Sequence, residues 1–197
     1  MAYPAIEAPY GLKPVKLLSG VPFVGVTRHY SIASGYDTSI FYGDAVKIIA
    51  DGTIERETAD AAMAYIGVFL GCTYTSPAVK QKLFSQYYPA DTAATDIEAF
   101  IGDGTDILFK VAVTSGTTVI GEMTKAAIGS NATMRNATGS AFTGNSACSI
   151  DDAFATTNTL PLRVVGVVEE TKNAAGNYTE AYVKWNAGHQ FNNTTGV

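Results

Sequence analysis

Apolar positions fall in short runs broken by Gly, Asp, Asn, Ser and Pro, the texture of strands and turns rather than helices. Val24–Ile32 (VGVTRHYSI) predicts a strand, followed by a loop at Gly35–Asp37. Val46–Ala50 and Thr53–Arg56 flank Asp51-Gly52, a pair suited to a type I′ hairpin turn. Glu57–Ala64 (ETADAAMA) has helical propensity over about two turns and predicts a short helix or a loop. Tyr65–Leu70 and Lys82–Tyr88 read as strands, and Ala99–Gly102 and Thr105–Thr114 flank a turn at Asp103-Gly104. Ile107–Val113 (ILFKVAV) is the most strand-like run. From Thr114 to Asn158 small and polar residues dominate, with a helical turn or two expected at Met123–Ile128. Arg163–Glu169 and Tyr178–Trp185 close the pattern around a return at Lys172–Asn177. Together these predict an all-β fold, a barrel or sandwich of short antiparallel strands, with helix below about 15 %. Ile66-Gly-Val-Phe69 and Val165-Gly-Val-Val168 repeat a β-Gly-β pattern and suggest two β-modules within residues 23–197.

Residues 1–22 differ from the rest. They hold Pro4, Pro9, Pro14 and Pro22, each fixing φ and biasing its predecessor toward extended backbone. Interleaved are Tyr3, Ile6, Tyr10, Leu12, Val15, Leu17 and Leu18, too apolar for a solvated linker. An extended arm is expected, lying either on its own domain or on another chain.

Charged residues make up 16 % of the chain, below the roughly 25 % of soluble domains, and the net charge is −5. Threonine, with 23 copies, glycine and tyrosine take their place. No run of Lys or Arg occurs, so neither nucleic acid nor a membrane surface is an expected partner. The longest apolar stretches are strand-sized, and residues 1–20 lack the basic and apolar regions of a signal peptide. Low charge points to a surface that meets other proteins.

Candidate chemistry is sparse. His29 and His189 stand apart, with no HExxH, no Cys/His cluster and no Gly-x-Ser-x-Gly elbow, so no catalytic residue, metal or cofactor is expected. Gly102–Asp106 (GDGTD) resembles the opening of a calcium loop, but lacks the glycine and closing glutamate of that register, and turn chemistry accounts for it. Cys72 and Cys148 are expected to be unpaired thiols of a protein made in a reducing cytosol. Eleven tyrosines keep a sugar-binding face open as an alternative.

The order of several segments resembles a known group. Ala8-Pro-Tyr-Gly-Leu-Lys-Pro-Val15, Leu17-Leu-Ser-Gly20, Tyr30-Ser-Ile-Ala-Ser-Gly-Tyr36, Ile40-Phe-Tyr-Gly-Asp-Ala-Val46, Leu160-Pro-Leu-Arg-Val-Val-Gly166 and Val183-Lys-Trp-Asn186 together look like the head decoration, or cement, proteins of marine and cyanobacterial tailed bacteriophages. The resemblance spans nearly the whole chain and is weakest over Thr114–Asn158. It implies a non-enzymatic virion protein, made in the host cytoplasm, that binds the outside of the expanded capsid as a homo-oligomer, a trimer being favoured. The major capsid protein would be its partner. It also implies that the arm docks on another chain through Tyr3, Pro4, Ile6, Pro9, Tyr10, Leu12, Pro14 and Val15. The competing expectation is a receptor- or carbohydrate-binding protein of a tail or fibre.

Overall fold

A computed structural model describes residues 9–115, 121–171 and 179–192. Within them lie strands β1 (Lys13–Leu17), β2 (Arg28–Ser31), β3 (Ala45–Ile48), β4 (Ile54–Arg56), β5 (Gly67–Thr75), β6 (Lys82–Ser85) and β7 (Glu98–Gly102). Next come β8 (Ile107–Thr114), β9 (Asn131–Ala132), β10 (Met134–Arg135), β11 (Ser149–Asp151), β12 (Leu162–Val168) and β13 (Glu180–Trp185). The fold is all-β, with 5 % helix, confined to single 3-10 turns such as Lys125–Ala127.

Two sheets form. The first runs β10-β11-β8-β13-β12-β9, with β1 also on β8, and is nearly closed like a barrel. The second runs β2-β7-β5-β3-β4, with β6 also on β5. Pairing is antiparallel except between β11 and β8, which run parallel. The reason is visible in β8 (ILFKVAVT): Phe109, Val111 and Val113 point into the core, and the strand is long enough to serve β1 along its first half and β11 at its end.

The second sheet separates two cores, because adjacent residues of a strand face opposite sides. Ala45 and Val68 face the first sheet, within a cluster that includes Leu12, Phe109, Leu162 and Trp185. Their neighbours Val46 and Phe69 face the other way, with Ile40, Ile54, Tyr88 and Ile101.

Several expectations change in contact with the structure. The predicted strand at Val24–Ile32 pairs only over Arg28–Ser31. Asp103-Gly104 does not close a hairpin: β7 belongs to the second sheet and β8 to the first, so the turn carries the chain between sheets. At Asp51-Gly52 only Gly52 has a positive φ, +83°, which excludes type I′. Asp51 Oδ1 instead accepts hydrogen bonds from the Thr53 amide and hydroxyl. Of the two forms expected for Glu57–Ala64 the loop is found, since buried Glu57 spends its carboxylate on the amides of Thr58, Ala59 and Ala64. The two β-Gly-β repeats fall on different sheets, in β5 and β12. The return at Lys172–Asn177 lies outside the described residues.

The arm from Pro9 onward belongs to the domain. Gly11 donates to Cys148 O and Leu12 to Gly43 O, each at 2.9 Å, and β1 then pairs with β8. A second tie joins the sheets at the far end. Tyr65, leading into β5, stacks on Trp185 of β13 with ring centres 3.9 Å apart. Past β13, Gln190 acts as a strand substitute: its Oε1 accepts from Ile48 N at 2.7 Å and its Nε2 donates to Ile48 O at 2.8 Å.

Phe109 is fully buried and sits edge-on to Trp185, whereas Phe142 is 99 % exposed. Phe109→Ala is expected to cost about 3–5 kcal/mol and Phe142→Ala less than about 0.5 kcal/mol, read as urea unfolding midpoints. Equal midpoints for the two variants would contradict this packing.

Candidate interaction surface

The residues the sequence nominated for partner binding are dispersed by the fold. Tyr3, Pro4 and Ile6 lie outside the described residues. Pro9 and Tyr10 are half-buried, and the Tyr10 hydroxyl donates to the Glu180 carboxylate on β13. Leu12 is fully buried in the first core, and Pro14 stands opposite Phe109 in the β1–β8 ladder. Leu12 therefore has no surface to offer a partner: its side chain is core, because the arm closes over its own domain. Val15 alone of the described set is well exposed, at 39 %.

Val15 opens a different feature. After β1 the chain turns at Leu18–Gly20 and folds back, with Leu17 N bonded to Val21 O and Phe23 N to Val15 O. It then crosses to the second sheet through Val24-Gly-Val-Thr27, which belongs to no strand. Leu18, Val21, Val24 and Val26 are all exposed, Val24 by 80 %. A valine on the surface is ordinary; a row of them along one extended segment is not. Gly25 within the crossing takes φ +81° with open space around it, a backbone that favours glycine.

The crossing leads into β2 and an aromatic group. His29 stands opposite Phe100 of β7 and meets its ring edge-on at 4.7 Å. Phe84 of β6, 73 % exposed, stacks on Phe100 at 5.4 Å. Phe100 alternates with buried Ile101, so these rings lie on the same face of the second sheet as Val68 and Ala45, on a part of it where Phe84 stays exposed. Gly71 makes the placement feasible. A Cβ there would lie 3.1 Å from Ser85 O and 3.6 Å from the Phe84 ring. Arg28 sits over Phe191, itself 56 % exposed, at 5.7 Å. Sequence reading missed Phe84, Phe100 and the valines because isolated aromatic and aliphatic residues in strands look like core.

The titratable groups serve structure. His29 Nδ1 lies 3.0 Å from Glu98 Oε1 at the surface. His189 is buried, and its Nε2 donates to Asp103 O at 3.2 Å, which fixes the tautomer and leaves Nδ1 bare. Asp103 Oδ2 accepts from Tyr30 at 2.9 Å and lies 3.2 Å from Arg28 Nε, so the GDGTD carboxylate is committed to the β2–β7 edge. Among the described residues no three His, Cys, Asp or Glu side chains converge as metal ligands. An open depression of ≈ 540 Å³ lined by Glu122, Thr124, Ser130, Asp152 and Phe154 offers carboxylates and hydroxyls but no imidazole or thiol. No family model, no curated protein and no solved structure matches the chain.

Cys72 and Cys148 are free, buried and in different cores. Burial pushes the Cys72 thiol up to about 12. Burial and then the neighbouring Asp44 carboxylate raise Cys148. Tyr30 is pushed up to about 12, by burial first and by its bond to Asp103 second. Each group binds its proton more tightly folded than unfolded. Stability is thus full below about pH 8.5, where the unfolded thiols begin to ionise, and falls as pH rises further. Urea midpoints should decline between about pH 8 and pH 11, and a thiol reagent should label neither cysteine until the protein unfolds. A midpoint that rises over that interval, or rapid labelling of the native protein, would contradict the assignment.

Proposed function

We propose that the protein is a structural subunit of a tailed-bacteriophage virion that binds the outer surface of the capsid and cements the expanded shell. The observation that carries this reading is the exposed apolar segment Leu18–Val26, continuous in the chain with the His29–Phe100–Phe84 group. It joins the low overall charge and the resemblance of segments across the chain to head decoration proteins. The crossing offers backbone groups outside any strand and a row of exposed valines, features suited to adding a strand to a neighbour's sheet edge. Several weak contacts made by an oligomer on a multi-subunit shell reinforce one another, and binding only the assembled state stabilises it. Tyr3, Pro4 and Ile6, preceding the anchored Tyr10, are the arm residues that remain assigned to the major capsid protein.

A second reading has its own support. Phe84, with one ring face open beside Glu98 and His29, offers an apolar platform flanked by polar groups, as a receptor- or sugar-binding virion protein would need.

Burying a valine contributes about 1.5–3 kcal/mol, so V24S/V26S should weaken binding to purified undecorated heads by about tenfold or more. Heads loaded with the unmodified protein should rupture at a higher temperature than bare heads. Unchanged binding by the double variant would remove the crossing from the interface. Equal rupture temperatures, together with glycan binding lost in Phe84→Ala, would move the assignment to the second reading.

A further inference from the structure

The outward face of the first sheet collects charge that the sequence scatters. Strands β1, β8, β9, β12 and β13 carry Lys13, Lys16, Lys110, Arg163 and Lys184 against one carboxylate, Glu180. Register puts them on one side. Lys13 stands opposite Lys110 and Lys110 opposite Tyr182, while Arg163 stands opposite Lys184. Their in-line neighbours Phe109, Val164 and Val183 point into the core. Two like-charged pairs are thus directly opposed on neighbouring strands, an arrangement that is destabilising in an isolated sheet.

The face relieves this only in part. Glu180 lies 3.1 Å from Lys110 Nζ and also accepts the Tyr10 hydroxyl. Lys13 and Lys110 lie 4.3 and 5.6 Å from the centre of the Tyr10 ring, and Lys16 lies 5.4 Å from that of Tyr182. A chain of net charge −5 that opposes its cations in pairs, and braces them with tyrosines, breaks a local rule in a way that marks an interface.

We infer that this face receives the acidic half of a second copy of the chain. The complementary charge is on the same molecule. Residues 33–106, which supply most of the second sheet, hold eleven carboxylates and four cations; without the internal Asp44–Arg56 pair, buried Glu57 and committed Asp103, eight carboxylates stand against three cations. Among the carboxylates Asp37 and Asp91 are exposed on adjoining loops, where Asp91 N donates to Tyr36 O at 2.8 Å. One pole per face gives a head-to-tail contact, which repeats around a ring or along a filament.

The size of the face sets the strength. The four longer strands, β1, β8, β13 and β12, at about 4.8 Å spacing and each some 20 Å long, give roughly 400 Å², half the area per partner of a standard complex. The association is therefore weak, concentration-dependent and screened by salt. It stands independently of shell binding, because it is measured without heads.

The test is sedimentation velocity of the full chain from micromolar to about 200 µM, in about 20 mM and about 500 mM salt, spanning Debye lengths well above and below the spacing of the charges. Mass should grow with concentration at low salt and return to monomer at high salt. K16E/K184E and D37N/D91N, each checked for folding by circular dichroism, should associate at least tenfold more weakly. A monomer at every concentration in low salt would overturn the inference, as would association indifferent to salt or to either pair of substitutions. A monomer that bound a single-stranded oligonucleotide, and lost it in K16E/K184E, would give the face to nucleic acid and equally overturn it.

Discussion

A carboxylate with almost no access to water holds the two sheets together. Asp44 opens β3 with its side chain in the joint, where Oδ2 accepts from Phe41 N at 2.9 Å and lies 3.0 Å from Arg56 Nε. The Cys148 thiol donates to Oδ1 at 3.4 Å from the segment leading into β11. Arg56 in turn donates to Ala137 O at 2.6 Å. One buried charge therefore gathers both strands of the β3–β4 hairpin and two loops of the first sheet. A charge so placed is tolerated only because its partners are fixed, and loss of either ion would leave the other stranded. Gly43 and Gly11 make room beside it. A Cβ on Gly11 would stand 2.7 Å from Gly43 O, and Gly43 itself holds φ +95°. Leu12 can enter the core at that point only because the two backbones touch there.

Much of the architecture was legible beforehand, since alternation and turn residues report local geometry. The strands around Ile107–Val113, Arg163–Glu169 and Tyr178–Trp185 are present where the pattern placed them, and the β3–β4 hairpin forms around Asp51-Gly52. What the pattern left open turned on hydrogen bonds it does not display. ETADAAMA, open between a short helix and a loop, is a loop in which Glu57 accepts from nearby amides and Asp60 is taken by distant Asn136. Asp103-Gly104 looks like a hairpin turn because nothing local tells a return from a change of sheet.

The surfaces were less legible still. Lys13, Lys16, Lys110, Arg163 and Lys184 are remote in sequence and become neighbours only through register. A search for runs of Lys and Arg looks past them. The valines of the crossing were read as a strand because their alternation is that of a strand; they lack only a neighbour. The two surfaces obey different physics. A contact made through the apolar crossing would be insensitive to ionic strength, whereas one made through the basic face would weaken as ions screen it.

The position of β13 also bears on how the molecule is made. Encoded at residues 180–185, it lies between β8 and β12, in the middle of the first sheet. During vectorial synthesis those strands emerge with the place between them vacant, so two apolar edges wait until the final central strand leaves the ribosome. Trp185 and the Gln190 tie are added in the same step, and the sheet closes late. A nascent chain stalled before residue 180 would carry nearly all of the core and none of its closure, the form most prone to pair with a neighbour on the same polysome.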